Sequence, residues 1–275
     1  MGSRMAERLL HAGHEVAVWN RTAAACEPLM RFGATHLRLT EIAHYPVILI
    51  CLADDHAVAS VYEQIQPYLQ PQQVIVDFSS LSVQQTLSLA QHAQSQDVTW
   101  IDAPVSGGTA GAENGSLVIF AGGDADTIER LALVFNVLSQ RVTRMGDNGT
   151  GQATKICNQL IVAANSTLIA EAVALAARAG VNTQLLAPAL AGGFADSKPF
   201  QILTPRMASH QFEPVQWKVK TLSKDLGNAL VLAAEHDLDI PVASQALSQL
   251  SAHQQHGYAD ADLASIICHI EKNSS

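Results

Sequence analysis

The sequence predicts an α/β fold, a doubly wound parallel sheet, with an all-helical part after it. Three observations predict this. Short apolar runs alternate with helical stretches through the first half of the chain. The runs are apolar at consecutive positions, so both faces of each strand must be buried, as in a parallel sheet covered by helices. After about Asp147 strand signals cease and helical periodicity takes over. Strands in alternation with helices define the doubly wound class.

The candidate strands are Val16–Trp19, Val47–Leu52, Val74–Asp77, Val98–Asp102 and Leu117–Ala121. Gly149-Thr150-Gly151 punctuates the chain, and a long apolar helical pattern then runs to Gly180. This helix, from about residue 151, joins two expected domains, 1–148 and 149–275. Its most apolar stretch, Leu160 to Ala177, contains Asn165, Ser166, Thr167 and Glu171. Those polar residues suit a helix buried within protein better than one spanning a membrane.

A length of 275 residues fits one large or two modest domains. With 48% hydrophobic and 15% charged residues the chain is expected to fold around a substantial core. The formal charge of −9 argues against nucleic acid as a partner, since that requires a basic face. Cys26, Cys51, Cys157 and Cys268 are scattered through apolar contexts. They read as buried thiols in a reducing compartment, and the N-terminus shows no signal peptide, so a cytoplasmic location is expected. Eleven histidines raise the question of a metal. His253 and His256 are closely spaced, but no set of cysteines or carboxylates completes a site, so the pair reads as a polar helix face and no metal is expected.

The first 22 residues resemble the second half of a βαβ unit. Met1-Gly2-Ser3 opens a helix, Ala12-Gly13 stops it, and a strand ends at Asn20-Arg21-Thr22. In a Rossmann-type unit a pyrophosphate rests on the amides that open such a helix, so Gly2 would be the third glycine of G-x-G-x-x-G, with Ser3 beside it. The preceding strand and two glycines, roughly a dozen residues, do not appear ahead of Met1. Without that central strand, two sheet edges are expected to stand unpaired, with poorer folding or weakened cofactor binding. The second strand ends without the acid that would bond the ribose hydroxyls of NAD. Asn20 suits a 2′ oxygen, and Arg21 with Thr22 suits a 2′-phosphate, so NADP is favoured while NAD stays open. The plain alternative is a solvated turn in which Thr22 caps the Ala-rich helix after it.

Two further segments carry chemistry. Asp102-Ala103-Pro104-Val105-Ser106-Gly107-Gly108 follows a strand, and its backbone N–H groups and hydroxyl suit a carboxylate. Gly149-Thr150-Gly151-Gln152-Ala153-Thr154-Lys155 then sets one lysine at the head of the least charged stretch of the chain. Asn158 and Gln159 stand three and four positions on and share its helix face.

These motifs resemble the β-hydroxyacid dehydrogenase family, of the 3-hydroxyisobutyrate dehydrogenase and tartronate semialdehyde reductase kind. The resemblance rests on Met-Gly-x-x-Met-Ala-x-x-Leu at 1–9, Asp-Ala-Pro-Val-Ser-Gly-Gly-x-x-Gly-Ala at 102–112, Gly-x-Gly-x-x-x-Lys at 149–155 and Lys-Asp-Leu at 224–226. Gly193–Ser197 and Pro205-Arg206-Met207 also resemble the family's helical domain, so the likeness covers essentially the whole chain. It implies a hydride transfer between NADP(H) and a short β-hydroxy acid or semialdehyde carboxylate. Lys155 matches the catalytic lysine. Ser106, Gly107 and Gly108 match the loop that receives the substrate carboxylate, and Asn158 or Gln159 would orient the substrate. Leu52, Ala53 and Asp54 fall where the family has a Leu-Pro-Asn type loop by the nicotinamide ribose, with Ala53 in place of proline. Ser80 occupies the Ser/Thr position near the nicotinamide, and Lys224 that of the cofactor-contacting lysine. Trp217 replaces an aromatic that would pack on the nicotinamide, a core tryptophan being the other reading. Asp225 would anchor its helix. The resemblance also implies a homodimer or homotetramer.

Three alternatives stand beside this reading. Imine reductases usually carry another residue at the Lys155 position. The 6-phosphogluconate dehydrogenases have a longer C-terminal region and a histidine where Cys157 stands. The alternative of another class is a non-catalytic, cofactor-deficient homologue acting as an oligomeric or interaction protein.

Overall fold

The structure, a computed structural model, describes residues 1–272 and divides into two units, Met1–Lys155 and Ile156–Ser275. In the first, α1 (Gly2–His11) leads to β1 (Ala17–Val18), α2 (Glu27–Arg31) and β2 (Thr35–His36). β1 and β2 pair in parallel as a two-stranded sheet, Ala17 beside Thr35. A six-stranded sheet contains β3 (Val47–Ile50), β4 (Val74–Asp77) and β5 (Thr99–Asp102), all parallel. Helix α3 (Asp55–Ile65) follows β3, and α4 (Val83–Gln94) follows β4. Each starts where the sequence supplies a cap: Asp54 accepts the Ala57 N–H at 2.9 Å, and Ser82 that of Gln85 at 3.2 Å.

Alternate residues of β4 and β5 serve opposite faces of the sheet. Val76 and Ile101 point into one core with Met5 and Leu9 of α1 and Phe135. Ile75 and Trp100 point into another with Val58, Tyr62 and Ile65 of α3 and Leu89 of α4. Both faces are covered, which is why these strands read as continuous apolar runs. Full burial of such a side chain contributes about 1.5–3 kcal/mol, so this double layer dominates the stability of the unit.

Beyond β5 the sheet departs from the all-parallel expectation. β6 (Val105–Ser106), α5 (Gly108–Asn114) and β7 (Leu117–Gly122) follow, and β7 runs antiparallel to both β5 and β6. α6 (Ala125–Arg130), α7 (Ala132–Leu138) and β8 (Ser139–Gly146) complete the unit, with β8 parallel to β7. The sheet is therefore mixed. β2, β6 and β8 escape the sequence reading because none is a buried apolar run; most of β8 is solvent-facing. Among the described residues β1 pairs only with β2, and β3 only with β4, so each keeps an unpaired edge.

Helix α8 (Thr150–Arg178) begins at the end of the first unit and continues through the start of the second. Its length and composition would let it cross a membrane, and 39% of its most apolar window is buried. The burial expected of this helix is partial: Ala163, Ile169, Ala170 and Val173 are buried, while Ile161, Leu168 and Leu175 are 58%, 61% and 70% exposed. Cys157, expected to be a buried thiol, is also exposed.

The second unit continues with α9 (Leu186–Leu190), α10 (Lys198–Ser209), α11 (Val219–Glu235), α12 (Pro241–His253) and α13 (Ile266–Lys272). Along α11 the buried Leu222, Leu226, Ala229 and Ala233 recur at helical spacing and make its core face. His253 is not part of a polar face. It is 1% exposed, receives or donates a 2.8 Å bond at Ser265 Oγ, and stacks on Tyr258 with ring centroids 4.3 Å apart. Among the described residues no group of three or more His, Cys, Asp or Glu side chains is placed to hold a metal ion.

Candidate active site

In the first unit the carboxyl ends of β3, β4 and β5 lie side by side, Ile50 beside Asp77 and Asp77 beside Asp102. Three expected site loops leave this edge: Leu52-Ala53-Asp54, Ser79-Ser80 and the run to Ser106-Gly107-Gly108. In an open α/β sheet this edge is where ligands bind. The Leu52 N–H donates to Ser79 Oγ at 2.9 Å, and Ser82 bonds Asp55 through N–H and hydroxyl at 3.0 and 2.6 Å, so the first two loops are braced together. Gly2, at the start of α1, faces the same edge: a Cβ there would stand 3.2 Å from Cys51 Cβ. A helix start packed against the loop after β3, with only a hydrogen at residue 2, fits the pyrophosphate of a dinucleotide. Ser3 is exposed in the first turn of that helix.

Asn20, Arg21 and Thr22 follow β1 and are exposed. Asn20 Oδ1 accepts the Thr22 N–H at 2.9 Å, so the side chain shapes the turn. The cap by Thr22 that the plain alternative required is absent: the residues after it form a 3₁₀ turn, Ala23–Cys26, without a side-chain cap.

Ser106 ends β6, in register with Val118. Gly107 and Gly108 then adopt φ of +123° and +64°, a region L side chains rarely enter, and the chain turns into α5. The strand before this loop ends in Asp102, which is fully buried. Its Oδ1 accepts the Gly149 N–H at 2.9 Å and its Oδ2 the Gln152 N–H at 3.1 Å, so it caps α8 from a distant strand. Burial raises the Asp102 carboxyl above its ordinary range, and the Gly149 and Gln152 bonds pull it back. Gln152 in turn accepts from the Leu81 N–H at 3.1 Å and donates to Ser79 O at 2.8 Å. Gly151 is obligatory here, since a Cβ would stand 2.4 Å from Phe120 O and 2.8 Å from Asp102 O. Lys155 follows Gln152 by three residues, about one turn along this anchored helix. Neighbouring Asp77 is also fully buried, and burial lifts its carboxyl to about 6.

In the second unit Asn158 and Gln159 lie on the same helix, one turn past Lys155, and are half-buried. Asn158 Nδ2 donates to Gln159 Oε1 at 2.9 Å, and Gln159 Nε2 donates to Asp225 Oδ2 at 2.6 Å. Lys224 Nζ stands 3.9 Å from Asp225 Oδ1. Trp217 is 39% exposed, which removes the reading of a core tryptophan. Its backbone is held where it is: the Gln216 and Trp217 N–H groups donate to Asp262 at 2.7 and 3.4 Å, and Leu263 N–H donates to Trp217 O at 2.8 Å.

Residues 1–146 match the family model described as the NAD binding domain of 6-phosphogluconate dehydrogenase, and residues 149–270 that of the NAD-binding of NADP-dependent 3-hydroxyisobutyrate dehydrogenase. The chain is 32% identical to the 2-hydroxy-3-oxopropionate reductase of Escherichia coli (strain K12), over 98% of its own length and 94% of that protein's. The chain belongs to the β-hydroxyacid dehydrogenase family. Further relatives agree. An NAD-dependent L-serine dehydrogenase of Pseudomonas aeruginosa is 26% identical over 96% of this chain and 92% of its own. The solved 3-hydroxyisobutyrate dehydrogenase of Mycobacterium tuberculosis with L-serine superposes with a TM-score of 0.89 at 27% identity, covering 98% and 95% of the two chains.

This β-hydroxyacid dehydrogenase is thus an oxidoreductase with a nicotinamide cofactor, and the comparisons do not favour the non-catalytic alternative. Three contributors to its candidate site are not visible as such in the sequence: Asp102 as the cap of α8, Gln152 as the tie between α8 and the loop after β4, and Asp225 as the partner of Gln159. Asp102 and Gln152 stood inside recognised motifs, which was a signal. The Gln159–Asp225 pair spans 66 positions and left none.

Proposed function

We propose that the dehydrogenase interconverts a short β-hydroxy acid and its semialdehyde carboxylate, with NADP(H) as the carrier of the hydride. Ser106, Gly107 and Gly108 bind the carboxylate. An amide from Asn158 or Gln159 orients the reacting oxygen. Lys155 gives a proton to the developing alkoxide in reduction and removes it in oxidation. Gly2, Ser3, Asn20, Arg21, Thr22, Leu52, Ala53, Asp54, Ser80, Trp217 and Lys224 hold the cofactor, with Arg21 on the 2′-phosphate. The observation that carries this reading is the pair of hydrogen bonds that Asp102 accepts from the N–H groups of Gly149 and Gln152. One buried carboxylate thereby fixes the strand that leads to the substrate loop and the helix turn that leads to Lys155.

The test is NADPH oxidation with tartronate semialdehyde, methylmalonate semialdehyde and related short aldehydo-acids. Lys155→Ala is expected to lower kcat about 10²–10⁴-fold with little change in NADPH affinity. Near-parental turnover in that variant would refute the assignment.

We also propose a homodimer or homotetramer in the cytoplasm. The exposed Ile161 and Leu175 lie seven residues either side of exposed Leu168, so this stripe reads alike in both directions and suits antiparallel pairing with a second copy. Light scattering that gives a monomer would remove it, as would vesicle binding through this helix.

A further inference from the structure

We infer that Asp225 is a positioning residue that sets the orientation of the Asn158 amide through the side chain of Gln159. This rests on the proposed reaction and takes Asn158 as the amide that holds the substrate oxygen, with Gln159 acting on it from behind. An ionised carboxylate only accepts hydrogen bonds, whereas a side-chain amide offers an acceptor on one side and two donors on the other. Asp225 is 8% exposed and sits on the buried face of α11, so water competes little for its oxygens. Its Oδ2 lies 2.6 Å from Gln159 Nε2. Rotating the Gln159 amide by half a turn would press Oε1 against that oxygen, acceptor on acceptor, so the carboxylate permits one orientation. In that orientation Gln159 turns Oε1 toward Asn158, whose Nδ2 donates to it at 2.9 Å. Asn158 is then constrained in turn, with its NH2 edge toward Gln159 and Oδ1 directed elsewhere. Lys224 stands 3.9 Å from the other oxygen of the same carboxylate. A charged acceptor on α11 thus determines which face an amide on α8 presents.

The polarity of this relay gives the experiment. In Asp225→Asn the acceptor-only group is lost, and α11 no longer forbids a flipped Gln159 amide. In Gln159→Glu two carboxylates oppose each other. In the double variant Gln159→Glu/Asp225→Asn, the Glu carboxylate accepts from Asn158 on one side and from the new amide on the other. That restores the number of bonds, the charge and the orientation of Asn158, but reverses the direction of one bond.

Each single variant is expected to lose about 10-fold or more in kcat/KM for the acid, while the double variant recovers to within about threefold of the parent. NADPH dissociation constants and urea unfolding midpoints, measured on all four proteins, separate a lost orientation from lost cofactor binding or lost folding. In urea the pair is expected to be coupled, with the double variant more stable than the two single losses sum to. Parental kcat/KM in Asp225→Asn overturns the inference and leaves the proposed reaction standing. So does a double variant that fails to fold, or one whose loss equals the product of the single losses. Absence of turnover in the parent removes the proposed reaction, and this role with it. If the singles do not fold, the double variant alone decides: parent-like kcat/KM supports the role, and a loss of about 10-fold or more overturns it.

Discussion

The Gln152 N–H donates to Asp102 Oδ2 across 3.1 Å and 50 positions of sequence, and this bond anchors the first turn of α8 to the end of β5. Gly149 uses the other oxygen of the same buried carboxylate. An isosteric amide could not serve both donors, because its NH2 would face one of the two N–H groups. Asp102→Asn is therefore expected to destabilise the first unit by about 1–3 kcal/mol, the cost of one unpaired buried donor. Turnover should fall as well, since Lys155 is borne by the turn that loosens. Urea unfolding followed through a probe in the first unit checks the prediction, and an unchanged midpoint contradicts it.

Arg21 stands exposed after β1, at the end of a strand that offers no acid to a ribose hydroxyl. A guanidinium there recognises a phosphate through charge-assisted bonds. The parent is expected to gain more thermal stability from NADPH than from an equal concentration of NADH, because stabilisation follows affinity. Arg21→Ala should weaken NADPH about 10-fold or more and leave NADH nearly unchanged. An equal or larger shift with NADH in the parent would show that Arg21 does not select the cofactor.

His253 gives the helical unit an acid limit. Burial lowers it to about 4, helped by His269, His256 and Lys272 nearby. His269 is lowered too, by burial and then by His256. In the unfolded chain a histidine titrates near ~6.5. The folded state then binds fewer protons than the unfolded state, so stability is fully present above about pH 6.5 and falls as the pH drops toward 4. The shift corresponds to at most ~3 kcal/mol for this one group. His253→Gln, which can keep a bond to Ser265, should lose less stability than the parent between pH 7.5 and 4.5. Circular dichroism melts across that range are the measurement, and parallel curves would exclude His253 as the source.

The layout of the first unit was legible wherever burial on two faces forced an apolar run. Val74–Asp77 has its true ends in the sequence, the runs Val47–Leu52 and Val98–Asp102 contain β3 and β5, and Leu117–Ala121 stops one residue short of the end of β7. β8 was not legible, because most of Ser139–Gly146 faces solvent and its register depends on β7, which it follows in space. The direction of β7 was hidden too, since a strand's own residues do not state whether its neighbour runs with it or against it. In the candidate site, Lys155, Asn158 and Gln159 were visible as one helix face. Asp225 was visible only as a helix anchor.

The class of fold and the family can be read from the sequence alone. Those properties depend on local spacing: two-residue and helical periodicity, glycine positions and ordered motifs. Only the tertiary structure shows that Asp102 caps the helix of Lys155, that Gln152 ties that helix to the loop after β4, and that Asp225 accepts a hydrogen bond from Gln159. Each of these is a contact between a buried polar side chain and a partner tens of residues away. Its partner is selected by which acceptor and donor are left within about 3 Å once the apolar surfaces have packed, and no local pattern encodes that choice.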